Sequence, residues 1–237
     1  MLISSNASKA LLSFSAAAIL LAAAPRVARA DEEHGLTLGL RTGFAWPFGR
    51  IKGQQNIAPV TFGSGTPTTQ DVDFGDSYVG MVPVWLDAGY RFTRGLSLGA
   101  YFQYGFAFPG GATCPSGASC SGADYRVGIR AEWSITPQRS LKPWLAVGFG
   151  YEVATFSGTQ GDTTVDQALH GVELFELEAG VDAKPVGGLH VGPFLSVSFA
   201  QFTGFSSTLN GDETTGALSP TAPHLWLMLG ARAHYDL

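Results

Sequence analysis

Apolar and polar residues alternate in eight separate segments of this chain, a pattern that few folds accommodate. In the clearest segment, 124–135, apolar side chains at odd positions from Tyr125 to Ile135 alternate with polar or small ones from Arg126 to Ser134. A period of two residues places these two sets on opposite faces of a β-strand. No segment shows a convincing helical period. Eight strands are predicted, over about 35–46, 78–92, 96–108, 124–135, 143–155, 172–184, 189–201 and 225–237.

The lengths of the segments and of their connections follow a regular scheme. The segments have roughly 11 to 14 residues, which is long for soluble strands and suits strands that cross a membrane at a tilt. Short turns follow the second, fourth and sixth segments. Loops rich in Gly, Ser, Thr, Asp and Pro follow the first, third, fifth and seventh segments, over 47–77, 109–123, 156–171 and 202–223. This asymmetry is typical of outer-membrane barrels.

The composition of the polar faces indicates which side of the sheet is inside. Those faces carry mainly Gly, Ala and Ser, and only 14% of the chain is charged. A soluble lipocalin-like barrel or β-sandwich would present its polar faces to water and would normally carry more charge. The predicted fold class is all-β, an eight-stranded antiparallel up-and-down transmembrane β-barrel. A hairpin around 57–62, in the long first loop, would raise the number of strands to ten.

Aromatic residues lie near the ends of the predicted strands, where a membrane barrel has its girdles. Both ends of the strands carry them, as expected for two water–lipid interfaces. The set at the long-loop boundary is Trp46, Tyr78, Phe108, Tyr125, Phe175 and Phe199, and the set at the short-turn boundary is Tyr90, Phe92, Trp133, Trp144 and Tyr235.

The first 30 residues have the features of a secretory signal peptide. Lys9 precedes an apolar run of 15 residues from Ala10 to Ala24, and Ala28-Arg29-Ala30 forms a cleavage site. That run is shorter than the roughly 20 residues of a membrane helix. The barrel domain is therefore predicted to span 31–237. Cleavage removes three basic residues and no acids, which shifts the net charge from −5 to −8, and such a chain is a poor match for nucleic acid.

The two cysteines, Cys114 and Cys120, lie in the Gly- and Ser-rich sequence GGATCPSGASCSG. An exported protein meets an oxidising compartment, so we predict a local disulfide, with free thiols as the alternative. No histidine lies nearby to complete a metal site.

The order of signal segment, eight strands, short turns and long loops resembles the small outer-membrane β-barrel family of the OmpA/OmpX type, over essentially all of 31–237. The sequence LMLGARAHYDL resembles the strand by which such proteins are recognised for assembly, although it ends on Leu237 where the family usually has Phe. The resemblance implies a monomer in the outer membrane of a Gram-negative bacterium. It also implies contact with outer-membrane lipid and lipopolysaccharide, and with the barrel assembly machinery through the C-terminal strand.

By alternation, charged residues point into a lumen barely wide enough for its own side chains. Isolated buried charges are costly, so we expect ion pairs. Such pairs either close the lumen, as in a structural or surface-interaction barrel, or gate a narrow porin-like channel for ions or small solutes. The predicted lumen charge network is Arg41, Asp87, Arg91, Arg126, Arg130, Glu132, Glu152, Glu176, Glu178, Asp182 and Arg232, with His234 and Asp236 on the same face.

A lipid-modifying or protease-like barrel is the third class considered. It would need a Ser or Asp with a His at one rim. His170 lies near Asp162 and Asp166 in a predicted loop, and His224 begins the eighth strand, without a compact catalytic motif. Loop acids within 66–73 and 210–213 either hold a divalent cation weakly or are simply solvated. No enzyme activity, catalytic residue, metal site or cofactor is predicted.

Overall fold

The computed structural model describes residues 34–52, 72–110, 114, 116–137 and 140–237, and the predicted signal segment and the 57–62 hairpin lie outside these ranges. A single helical turn, α1 (Phe74–Ser77), is the only helix among the described residues. Within the same ranges, no helix has the length and apolar character needed to cross a membrane. The strands are β1 (Gly35–Lys52), β2 (Val72–Asp73), β3 (Tyr78–Arg91), β4 (Leu96–Pro109), β5 (Ser119–Ser134), β6 (Leu141–Gln160), β7 (Thr163–Val186), β8 (Leu189–Leu209), β9 (Asp212–Ala217) and β10 (Pro223–Asp236).

Eight of these strands form one closed antiparallel ring. Its order is β1-β3-β4-β5-β6-β7-β8-β10, and β10 pairs with both β8 and β1. The closing pair runs from Thr37 opposite Asp236 to Gly49 opposite His224. The short strands β2 and β9 lie off the ring, on β1 and β8 respectively. The predicted eight-stranded up-and-down barrel is confirmed.

The strands extend further at one end than the alternation predicted. Residues 156–171, predicted as a loop, are almost entirely strand, because β6 runs to Gln160 and β7 begins at Thr163. A second hairpin joins β8 to β9 through Asn210 and Gly211, which both have positive φ. We call this end of the barrel the hairpin end. The opposite end, with the connections at 92–95, 135–140 and 187–188, is the short-turn end.

The two faces of the barrel wall differ in the predicted sense. Leu36, Ile129 and Leu229 point away from the barrel, and Ile129 is 65% exposed. The inward face buries Arg41 and Trp85 together with many other charged and aromatic side chains. A soluble barrel has the opposite arrangement, with its apolar side chains inside and its polar ones outside.

Two aromatic residues predicted for the girdles lie inside the barrel instead. Tyr78 is buried because a register shift against β4, between Tyr78 and Gly80, breaks the alternation and turns its side chain inward. Trp144 is buried because it shares its parity with inward residues of β6 such as Ala146. Its position near a strand end was a weaker guide than that parity. Aromatic residues that do point outward are Trp46, Phe108, Tyr125, Tyr90, Phe92 and Trp133.

Cys114 and Cys120 are joined by the predicted disulfide, with their Cα atoms 6.0 Å apart. Since β5 begins at Ser119, the bond ties the start of this strand to the segment that precedes it.

Candidate functional site: the charged lumen

The barrel interior is the densest collection of charged groups among the described residues. Arginines and carboxylates alternate along its axis with large aromatic side chains. We describe it from the short-turn end upward as a mouth cluster, a lower network, a central network, an upper network and an aromatic stopper. Each name is defined below by its residues.

The mouth cluster consists of Arg91, His190, His234 and Asp236. Arg91 binds both carboxylate oxygens of Asp236, with Nη1 2.8 Å from Oδ2. His190 and His234 are cross-strand partners on β8 and β10, and their rings stack with centroids 4.6 Å apart. Asp236 lies two residues beyond His234, so both side chains occupy the same face of β10.

The lower network consists of Arg130, Glu132, Trp144, Asp182 and Arg232. Arg232 donates from Nη1 to Glu132 Oε2 at 2.5 Å and from Nε to Asp182 Oδ1 at 2.9 Å. Its guanidinium lies 3.4 Å from the centroid of the Trp144 ring, and the Trp144 indole donates to Asp182 Oδ1 at 3.2 Å. β10 and β5 are opposite each other in the ring of eight, so the Arg232–Glu132 pair spans the lumen.

The central network consists of Arg41, Asp87, Glu176 and Glu178, next to Trp85. Arg41 donates from Nε and Nη2 to the two oxygens of Asp87, both at 2.9 Å, and from Nη1 to Glu178 Oε2 at 2.6 Å. Glu176 Oε1 lies 3.9 Å from Arg41 Nη1 and accepts a hydrogen bond from the Ser196 hydroxyl at 3.2 Å.

The central and lower networks are joined through Arg130. Its Nε donates to Glu178 Oε1 at 3.0 Å, and its Nη2 lies 3.0 Å from Glu132 Oε2. A single chain of ion pairs therefore runs from Asp87 through Arg41, Glu178 and Arg130 to Glu132.

The upper network surrounds Arg126. Its guanidinium donates to Asp124 Oδ1 at 3.0 Å, Glu152 Oε1 at 2.9 Å and Glu173 Oε1 at 2.9 Å. Neutral groups complete the network: the Tyr101 hydroxyl donates to Glu173, and Gln103 Nε2 donates to Asp124 Oδ1 at 2.6 Å.

The aromatic stopper lies at the hairpin end of the lumen. The side chain of Phe74, from α1, is fully buried, and its ring centroid lies 4.6 Å from that of His224 and 4.9 Å from that of Trp226. Tyr78 and Phe202 complete the set at 5.6 and 6.0 Å. His224 and Trp226 also contact Glu152, at 2.9 and 3.2 Å, which links the stopper to the upper network.

A cavity of about 40 Å³ lies near the short-turn end of the lumen. It has room for a few water molecules. Residues of the mouth cluster, the lower network and the central network line it, including Arg41, Asp87, Arg91, Glu132 and His234.

All eleven charged residues predicted for the lumen lie in these networks, each within 4.0 Å of an opposite charge. The lumen also holds four buried residues that were not predicted for its charge network, namely Asp124, Glu173, His190 and His224. Asp124 begins the predicted fourth strand and His224 the eighth, and they share the parity of Arg126 and Arg232, so the same alternation would have placed them in the lumen. Their partners and distances could not be read from the sequence, since strand tilt decides which residues meet across the lumen.

Glu173 was missed because of a β-bulge. Gly148 and Gly150 of β6 pair with Glu176 and Glu173 of β7, so β7 contains one extra residue at this point. The same irregularity appears against β8, between Glu173 and Phe175. One extra residue reverses the alternation, and Glu173 therefore points inward although unbroken alternation from Phe175 would place it outside.

His170, considered above as a candidate for catalysis, lies in strand rather than in a loop. It belongs to β7 and pairs with Gly204 of β8. Asp166 lies on the same strand, and Asp162 belongs to the β6–β7 turn.

Comparison with known proteins identifies relatives of the fold alone. No family model and no curated protein matches the sequence. Among solved structures, the Neisserial surface protein A matches with 14% identity and a TM-score of 0.52, over 87% of this chain and 100% of that one. A major outer membrane protein from Thermus thermophilus matches with 12% identity and a TM-score of 0.54, over 85% of this chain and 99% of that one.

Proposed function

We propose that this chain, which folds as small outer-membrane barrels do, is an outer-membrane protein with a closed lumen and a structural or surface-interaction role. Its outward face of leucine, isoleucine, valine and aromatic side chains suits lipid. Its polar groups are collected inside, where they satisfy one another. The hairpin end would then face the exterior and lipopolysaccharide, and the short-turn end the periplasm.

The observation that carries the closed lumen is the Arg232–Glu132 pair between opposite strands of the ring. A side chain that reaches from β10 to β5 supports a closed lumen, because an eight-stranded barrel is only wide enough to hold side chains. The stopper around Phe74 supports the same conclusion at the hairpin end. Breaking such a buried pair is costly, because removal of one partner leaves the other charge buried and without compensation.

Planar-bilayer recording of the protein refolded in detergent tests the closed lumen. We expect no steady conductance from the wild type. The double variant Arg232→Gln, Phe74→Ala should raise the conductance, because it removes the pair that spans the lumen and the central ring of the stopper. Stable, stepwise conductance of the wild type would contradict the closed lumen.

The orientation and the location can be tested in cells with an epitope inserted at one of two turns. An epitope at Gly211, in the β8–β9 turn, should be accessible to antibody on intact cells. The same epitope at Gly187, in the β7–β8 turn, is the matched control and should become accessible only after the outer membrane is permeabilised. The reverse pattern would contradict the orientation.

A narrow cation channel is the second candidate function, and the cavity near the short-turn end favours it. Carboxylates outnumber guanidinium groups among the described lumen residues, so any path through them would prefer cations. The bilayer experiment separates the two functions, because a channel would show cation-selective conductance in the wild type. We also propose that the barrel acts as a monomer and that β10 is recognised by the barrel assembly machinery.

A further inference from the structure

The mouth cluster contains a group of side chains suited to a metal ion. His190, His234 and Asp236 each offer one ligand atom, and these three atoms lie within 4.8 Å of one another. We propose that they form a binding site for a divalent transition-metal ion of the Zn²⁺ class at the short-turn end of the barrel. This site goes beyond the proposed structural role and does not depend on it.

The state of His190 is the first argument for this site. Its side chain is 1% exposed, yet neither ring nitrogen makes a hydrogen bond within the described part of the chain. Nε2 lies 3.0 Å from Asp236 Oδ2, so its near neighbour is another ligand atom of the proposed site, and Nδ1 has no partner among the described residues. A buried imidazole without hydrogen bonds is costly, and a metal ion bound to its lone pair would satisfy it.

The arrangement of the two strands is the second argument. His190 and His234 are directly opposite each other on β8 and β10, and Asp236 follows on the same face of β10. His234 turns Nε2 towards Asp236 Oδ1, at 3.9 Å, and Nδ1 towards Asp182 Oδ2, at 3.6 Å. Strand pairing therefore fixes the backbone positions of all three ligand residues. Both of these His234 contacts are too long for hydrogen bonds.

Neighbouring groups supply the outer contacts that metal sites usually have. Arg91 holds the Asp236 carboxylate through two hydrogen bonds, and each oxygen keeps a lone pair for an ion. Asp182 Oδ2 lies 3.6 Å from His234 Nδ1, so a small rotation of the ring on metal binding would let Nδ1–H donate to it and would leave Nε2 free for the ion. Ligating carboxylates and imidazoles are commonly oriented by such partners.

The donor set indicates the class of ion. Two imidazoles and one carboxylate are typical of Zn²⁺ sites that keep an open fourth position, and they suit Zn²⁺, Ni²⁺ or Cu²⁺ better than Ca²⁺ or Mg²⁺. Tetrahedral Zn²⁺ with bonds of about 2.0–2.1 Å separates its ligand atoms by roughly 3.4 Å. The His rings are parallel to within 5°, so at least one must rotate about Cβ–Cγ to point both Nε2 atoms at one ion.

An ion can reach the site from the short-turn end. His234 and Asp236 are both partly exposed, and His234 also lines the cavity of about 40 Å³. The entry path that a metal site requires is therefore present.

Zn²⁺ titration by calorimetry tests this proposal on the exported protein, purified in detergent without a histidine tag. We expect saturable binding of one Zn²⁺ per chain by the wild type. His190→Gln and His234→Gln should each weaken it by more than the roughly 10–100-fold typical of losing an outer contact. His170→Gln, on β7, is the matched control and should bind Zn²⁺ as the wild type does. Far-UV circular dichroism establishes that each variant is folded.

A second measurement does not depend on the variants. Co²⁺ bound at a site of low coordination number absorbs visible light much more strongly than octahedral Co²⁺, so titration of the wild type with Co²⁺ should produce these bands, and Zn²⁺ should remove them. Absence of saturable Zn²⁺ binding to the wild type would overturn the proposal. Equal Zn²⁺ affinity of the wild type and a folded His190→Gln, His234→Gln double variant would also overturn it. Neither result bears on whether the lumen conducts.

Discussion

Arg41 is 1% exposed and lies among three carboxylates, with the ring of Trp85 4.9 Å from its guanidinium carbon. A guanidinium suits this position because it has five donors in a planar fork and stays charged in any protein environment. Its carboxylate partners Asp87 and Glu178 lie on β3 and β7, which do not pair with each other. Arg41 therefore joins two separate parts of the barrel wall.

Arg41→Met should lower the free energy of unfolding by about 3–5 kcal/mol, the usual cost of removing one partner from a buried ion pair. The reason is that Asp87 and Glu178 would lose the donors that compensate their burial. Unfolding by urea in detergent, followed by tryptophan fluorescence, measures the change.

Arg50→Met is the matched control for that substitution. Arg50 is 58% exposed and lies 3.6 Å from the exposed Asp73, so its loss should cost less than about 1 kcal/mol. Equal effects of the two substitutions would show that burial does not determine the strength of the lumen pairs.

Alternation alone assigns most inward residues, and it cannot assign their partners. Arg232 and Glu132 are 100 residues apart in the sequence and meet because β10 and β5 stand opposite each other in a closed ring. That contact depends on strand number and stagger, which are properties of the whole barrel rather than of any segment.

At the scale of elements, the β8–β9 hairpin shows what a local signal can and cannot do. Asn-Gly is the strongest short sequence signal for a two-residue hairpin turn, and Asn210 and Gly211 have the two positive φ angles that this turn requires. In the sequence, residues 210–213 were interpreted only as loop acids, and the hairpin was not predicted. Asn210 also joins the hairpin to β7, since its Oδ1 accepts a hydrogen bond from Thr164 N at 2.9 Å.

The β7 bulge, unlike the Asn-Gly turn, has no local sequence signal, because no residue type marks it. FELEAGVD alternates without a break, and the extra residue lies just before this run, between Glu173 and Phe175. Its effect is to bring Glu173 to Arg126 and Ser198, so the bulge supplies a carboxylate to the upper network.

Gly211→Val should open the β8–β9 hairpin without unfolding the barrel. Gly211 has φ +98°, which a β-branched residue rarely adopts. β9 contributes no pair to the closed ring, so the thermal midpoint in detergent should stay unchanged. Limited proteolysis should show faster cleavage within 206–217.

Thr214→Val, at an exposed position of β9, provides the comparison. Valine favours strand structure, so cleavage of this variant should be no faster than that of the wild type. Fast cleavage of both variants would mean that the turn does not govern the hairpin.

At the scale of the whole molecule, the apolar outer face and the charged interior determine whether lipid or water must surround the barrel. The sequence was sufficient to predict this feature, because the faces are marked residue by residue in all eight segments. The extension of the strands at the hairpin end was not predictable in the same way, since 156–171 is rich in the Gly, Ser, Thr and Asp of ordinary loops and becomes strand by pairing with its neighbours.

Ile129→Arg tests that polarity on the outer face. If Ile129 faces lipid near the middle of the bilayer, the substitution should cost about 2–4 kcal/mol of unfolding free energy in phospholipid vesicles. Glu213→Arg, on the exposed β9, should change it little. An unchanged unfolding free energy for Ile129→Arg would indicate that this face lies in water.

The pairing of β1 with β10 has a consequence for the timing of folding. Thr37 and Asp236 lie almost at opposite ends of the described chain, so the last seam of the ring joins residues of very large sequence separation. Hairpins between consecutive strands close short loops and are expected to form first, whereas this seam must wait until β10 has been synthesised. Until then β1 and β10 are unpaired edges, open to pairing with other chains. We therefore expect closure of that seam to be the slowest step in the assembly of this molecule.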